Sequence, residues 1–156
     1  MKRLLSLLVL VLAFSSCEED VKFNNPSVQG IKDNEMWRAV DYKATLQANG
    51  GLIVTGYTNF ETLILKTSNI TPGTYELGAG TANSATYSFT ADGTEVNYST
   101  GVNATGQITI ENYDTASGTF TGQFKFKAKK LGNAVAGDSI VTYQKGVFYH
   151  IPVTAQ

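Results

Sequence analysis

The sequence predicts an all-β fold, an antiparallel β-sandwich of about nine or ten short strands, and three observations carry that prediction. Glycine, tyrosine and phenylalanine are abundant (15, 8 and 8 of 156 residues) and long Ala/Leu/Glu/Lys runs are missing, a balance that favours strands and turns over helices. Turn signals such as Asn49-Gly50-Gly51, Pro72-Gly73 and Asp92-Gly93 recur between short apolar segments, which makes those segments strand-sized. Within the segments apolar and polar residues alternate, and in a strand that period places one side on a core and the other in water. Consecutive hairpins also build a lipocalin-like up-and-down barrel, which is the alternative architecture.

The chain opens on a segment outside this pattern. Lys2 and Arg3 precede an apolar run over residues 4–14, and Ser15-Ser16 then lead into Cys17, the single cysteine. A bilayer-spanning helix needs about 20 apolar residues, so the run reads as a cleavable signal peptide over residues 1–16. Its Leu12-Ala13-Phe14-Ser15-Ser16-Cys17 ending resembles a bacterial lipobox, in which the cysteine is acylated and becomes the mature amino terminus. Phe14 stands where leucine is usual, a departure associated with Bacteroidota lipoproteins. The resemblance implies a membrane partner reached through a lipid anchor at Cys17, since two or more acyl chains hold a protein stably. Glu18-Glu19-Asp20 then resembles the acidic export signal for the outer face of the outer membrane. The expected location is therefore the cell surface, with the periplasmic face as the alternative. Residues 17–30, broken by Asn24-Asn25-Pro26, read as a tether, and residues 31–156 as one β domain.

The strands follow in order. Over residues 36–46 the even positions Met36, Val40, Tyr42, Ala44 and Leu46 are apolar, which puts Trp37 on the opposite side with Asp41 and Lys43. Asn49-Gly50-Gly51 turns the chain into residues 52–58, and Asn59 separates that strand from residues 60–66. Pro72-Gly73 starts a short strand through Tyr75 and Leu77; Ala85, Tyr87 and Phe89 mark the next, and Asp92-Gly93 leads to Val96 and Tyr98. Ile108 and Ile110 alternate with polar residues. Phe120, Gly122, Phe124, Phe126 and Ala128 then define a core side, leaving Gln123, Lys125 and Lys127 in water. Residues 131–138 read as a loop, and the final hairpin is expected to turn at Gln144-Lys145-Gly146.

The 12 basic and 13 acidic residues become 10 and 13 once Lys2 and Arg3 are removed, so the mature chain lacks the basic footprint of a nucleic-acid binder. His150 is the single histidine, which excludes paired-histidine metal sites, and no nucleophile elbow, phosphate loop or calcium loop is present. Catalytic, cofactor-binding and metal-ligating residues are thus assigned to none, and Glu61, Glu111 and Asp114 read as scattered carboxylates. Trp37, off the apolar side of its strand, is the candidate for stacking on a ligand such as a sugar. Asp114-Thr115-Ala116 and Asp138-Ser139-Ile140 resemble the O-glycosylation acceptor of exported Bacteroidota proteins, which makes Thr115 and Ser139 candidate modification sites; Asp before Ser or Thr is also ordinary turn chemistry.

Four stretches taken together, Met36-Trp37-Arg38-Ala39, Ile70-Thr71-Pro72-Gly73-Thr74-Tyr75-Glu76-Leu77-Gly78, Gly118-Thr119-Phe120-Thr121-Gly122-Gln123-Phe124 and Lys145-Gly146-Val147-Phe148, resemble a family of small Bacteroidota lipoproteins of unknown function. Asp33-Asn34 stands where that family often has an Asp-Gly turn. The resemblance implies the β fold and brings no catalytic residue with it. The functional expectation is a non-enzymatic binding or accessory module for a glycan or an envelope protein, and the alternatives are a small-ligand carrier with a barrel cavity or a hydrolase using His150.

Overall fold

The computed structural model describes residues 25–133 and 136–154; the signal peptide and Cys17 lie outside them. Eleven strands and no helix occur among the described residues. In chain order they are β1 (Ser27–Lys32), β2 (Glu35–Arg38), β3 (Asp41–Leu46), β4 (Leu52–Tyr57), β5 (Glu61–Thr67), β6 (Gly73–Ala79), β7 (Ser84–Ala91), β8 (Thr94–Ser99), β9 (Val102–Asp114), β10 (Thr119–Leu131) and β11 (Ile140–Thr154). They form one mostly antiparallel sheet in the order β2-β1-β11-β3-β4-β5-β7-β8-β10-β9-β6. Because β10 also pairs with β11, the path through β3, β4, β5, β7, β8, β10 and β11 returns to its start. The all-β, mostly antiparallel expectation holds, with all eleven strands in one sheet that closes by hydrogen bonds into a ring.

Turn chemistry sets much of the register. Asp33 and Asn34, at φ of 48° and 72°, close the two-residue hairpin from Lys32 to Glu35, and Asp92-Gly93, at 50° and 74°, close the one from Ala91 to Thr94. A type I′ turn needs positive φ at both central residues, and Asp, Asn and Gly tolerate it best. Phe120, Phe124, Phe126 and Ala128 all face the core from β10, with Lys125 and Lys127 exposed between them, as the alternation requires. Tyr143, Phe120, Phe148, Leu52 and Leu63 are the largest fully buried side chains, so the space enclosed by the ring is occupied by the protein's own aromatic and aliphatic groups.

Three expectations are corrected. Residues 27–30, assigned to the tether, belong to β1, where Val28 is fully buried and pairs with Phe148. The strand expected over residues 36–46 is two strands, broken at Ala39-Val40 where the Val40 N–H turns to the Tyr57 carbonyl at 2.7 Å. The break reverses the parity, so Trp37 and Ala39 are buried while Met36 and Val40 are exposed. The turn expected at Gln144-Lys145-Gly146 is a bulge inside the continuous β11, where between the pairs Phe124–Gly146 and Phe126–Tyr143 one residue of β10, Lys125, stands opposite two of β11, Gln144 and Lys145. Lys145 there has φ of 49°, and a Cβ on Gly146 would lie 2.4 Å from the Phe124 ring. That glycine marks a close approach rather than a reversal.

Candidate functional site

At the Lys32 end of β1 the ring opens into a mouth centred on Glu61. The Trp37 indole Nε1–H donates to Glu61 Oε2 at 2.8 Å, and Thr58 Oγ1 donates to the same oxygen at 3.3 Å. Tyr87 OH and Lys32 Nζ both donate to Oε1, and Lys32 also donates to Tyr87 OH at 2.8 Å. The backbone places these groups by ordinary rules. Lys32 ends β1 beside the Asp33-Asn34 turn, Glu61 begins β5, and Tyr87 faces inward from β7 with the parity of Ala85. Thr58 Oγ1 accepts the Glu61 N–H at 3.0 Å and so closes the β4–β5 turn against the carboxylate it serves.

The electrostatics follow from this geometry. Burial works against ionisation of Glu61, but donation from Lys32 and Tyr87, the Lys32 charge and the Trp37 N–H together outweigh it and hold the carboxyl below its usual range. Burial, and then the hydrogen bond to Glu61, push the Tyr87 phenol up, so it stays a donor. Lys32–Glu61 is the one ion pair among the described residues, and both side chains are about a fifth exposed. A cavity of about 340 Å³ opens above the pair, walled by Phe60, Phe89, Thr58 and Thr90. Phe60 is 73% exposed, a large apolar ring held in water beside a neutralised ion pair.

Trp37, the aromatic candidate of the sequence, stands one hydrogen bond away from the cavity. Trp37 is 4% exposed and packs edge-on against Tyr143 at 5.7 Å, so its faces are not open to a ligand; it positions Glu61 instead. The parity error in its strand hid this. Phe60 reads from the sequence as the start of a strand, whereas it lies in the turn before β5. His150 is exposed on β11, with φ of 48°, and its ring stacks on Tyr149 at 4.1 Å. A second bulge puts it there, with Phe120 opposite Ile151 and Gly122 opposite Phe148, so Phe148 and Ile151 face the core and the apolar side expected through Val147 and Tyr149 is displaced. Thr115 is exposed in a turn and Ser139 is exposed in the bend just before β11. Asp114 accepts the Ala116 N–H at 2.9 Å and the Ser117 hydroxyl at 2.7 Å, so turn formation accounts for an aspartate before Thr115. Among the described residues no three His, Cys, Asp or Glu side chains group as metal ligands would.

No curated protein and no solved structure matches the chain. One family model matches residues 24–152, from just before β1 to near the end of β11, and so includes all the residues of the mouth. The chain belongs to the family described as Domain of unknown function (DUF6252).

Proposed function

We propose that this protein is a lipid-anchored outer-membrane lipoprotein of the Bacteroidota type, displayed on the cell surface, and that it acts as a non-catalytic binding module whose mouth takes a glycan. The observation that carries the reading is the exposed Phe60 ring beside the Lys32–Glu61 pair in an open cavity. Aromatic faces stack on the C–H faces of sugars, while ammonium, carboxylate and threonine groups exchange hydrogen bonds with hydroxyls. The ion pair is neutral as a unit, which suits an uncharged saccharide. Glu61 is engaged by four side-chain donors and held ionised, so it is poorly placed to deliver or accept a proton. The filled core argues against a carrier with an interior chamber. Cys17 would carry the acyl chains. The chain enters β1 at Ser27 and the mouth lies at the Lys32 end, ~17 Å away along the strand, so an anchor need not obstruct it. Thr115 and Ser139 are accessible as glycan acceptors, and an intact mass equal to that of the bare acylated polypeptide would remove that part of the reading.

Two measurements test the proposal. Protease added to intact host cells is expected to cut the wild-type protein; protection until lysis would place it in the periplasm, with Cys17→Ala as the unanchored control. On a panel of neutral oligosaccharides, Phe60→Ala is expected to abolish binding without lowering the melting temperature. Equal binding by wild type and Phe60→Ala would remove the mouth as the site.

A further inference from the structure

A second surface, separate from the mouth, crosses the outer face of β9, β10 and β11. Three depressions of about 260, 280 and 360 Å³ adjoin there. The first two share Gln107 and Lys125, and the last two share Lys127, Thr142 and Gln144, so they form one groove. Lys125 and Lys127 point outward because Phe124 and Phe126 point inward, and the β11 bulge brings Lys145 into the same groove. Among the described residues, none of the three ammonium groups has a carboxylate within salt-bridge distance.

Solubility alone is a weak account of these lysines. Lysine commonly guards a sheet edge, but β10 is paired along both sides, with β11 on one and β9 then β8 on the other. The mature chain is acidic overall, yet here three cations gather with no ion-pair partner among the described residues; Glu76 lines the central depression, and Asp33 and Asp138 lie together in the end one. Between the lysines lie amides and hydroxyls, Gln107, Thr109, Gln123, Thr142 and Gln144. The aromatic rings below them, Phe124, Phe126 and Tyr143, are buried, so the groove has no platform for a nucleic-acid base or pocket for a peptide's apolar anchor. From Gln123 to Lys127 the strand rises ~13 Å, a length that suits a short run of a linear polymer.

We propose that this groove binds an extended anionic polysaccharide of the polyuronate class, with Lys125, Lys127 and Lys145 pairing with its carboxylates and the glutamines and threonines with its hydroxyls. The site is independent of the mouth. The test is equilibrium binding of the full-length acylated protein in detergent, at about 0.15 M salt, to polygalacturonate, with dextran and polyglutamate as the neutral and the non-sugar anionic controls. Polygalacturonate is expected to bind and dextran and polyglutamate not to. Lys125→Gln, Lys127→Gln and Lys145→Gln combined should weaken binding about tenfold or more, as the loss of three exposed charge pairs implies, and Phe60→Ala should leave it unchanged. Three outcomes would overturn the proposal: no binding of polygalacturonate, equal binding of polyglutamate, or a triple variant that binds as the wild type does. Tighter binding of the unacylated Cys17→Ala protein to anionic vesicles than to polygalacturonate, with none to neutral vesicles, would also overturn it, in favour of a membrane-facing surface.

Discussion

Replacing Glu61 by alanine tests whether the mouth is also the fastening of the fold. The change removes the acceptor of the Trp37 N–H, whose side chain is 4% exposed, and of the Tyr87 hydroxyl, 3% exposed, and it leaves Lys32 without its carboxylate. A buried donor left unpaired costs about 1–3 kcal/mol, and breaking a buried ion pair from one side about 3–5 kcal/mol. Lys32 and Glu61 are each about a fifth exposed, so water re-enters and the sum falls short of those ceilings. About 3–4 kcal/mol is the expected loss, a large share of the ~5–15 kcal/mol that holds a domain together. At ~4 °C per kcal/mol for a domain of this size, the melting temperature should fall by ~12–16 °C. Thermal unfolding followed by circular dichroism reads this directly. Lys32→Met in the Glu61→Ala background should cost less than it does in the wild type, with a coupling of ~1–2 kcal/mol, because the ammonium it removes is by then unpaired. A Glu61→Ala protein within ~0.5 kcal/mol of wild type, or strict additivity in the cycle, would refute the argument that these contacts carry stability.

Acid should weaken the domain through the same residue. The Glu61 carboxyl is held below its usual 4.5 in the folded state, so its contribution is whole above that value and lost as the pH falls through the lowered one; Glu61→Gln should show a flatter acid limb in melting temperature against pH. Gly146→Ala sets a Cβ 2.4–2.6 Å from three atoms of the buried Phe124 ring, and overpacking of ~1–3 kcal/mol should appear in denaturant unfolding. The single tryptophan reports on the mouth, and its emission should be blue-shifted and resist acrylamide in the wild type but not in Glu61→Ala.

What the sequence could reveal was local. The period-two side of Phe120 to Ala128 and the Asp92-Gly93 reversal depend on neighbours within a few residues, and the structure keeps both. Residues 27–30 were hidden because Asn24-Asn25-Pro26 reads as a breaker and Gly30 weakens the strand signal. In the fold Gly30 lies across from Gly146, and a Cβ on it would be 3.0 Å from that residue's Cα, so both glycines serve a crossing that neither segment shows by itself. The Glu61 cluster was illegible for a related reason. Three of its four partners stand 24, 26 and 29 residues away, and only the packing of β1 and β2 against β4, β5 and β7 brings them together.

That packing explains why a surface-facing ion pair should matter to the whole ring. Among the described residues β11 and β3, which close it, pair through Val153 with Ala44 and Thr154 with Thr45, the shortest pairing in the circuit and a parallel one. The β1–β2 hairpin lies on the same edge of β11, further toward the mouth, where β1 pairs with it from Ser27 opposite Tyr149 to Lys32 opposite Tyr143. Its Val28, Trp37 and Ala39 close over Gly56 of β4, where a Cβ would find all three within 3.1–3.2 Å. The hairpin therefore spans the gap that β11 and β3 leave open, and its bonds from Lys32 and Trp37 to Glu61 tie it to the far wall. A ligand seated on Phe60 and Lys32 would touch that tie directly. Because anything that binds the folded form alone stabilises it by mass action, occupancy of the mouth should raise the melting temperature more in the wild type than in Glu61→Ala, where the hairpin is no longer held.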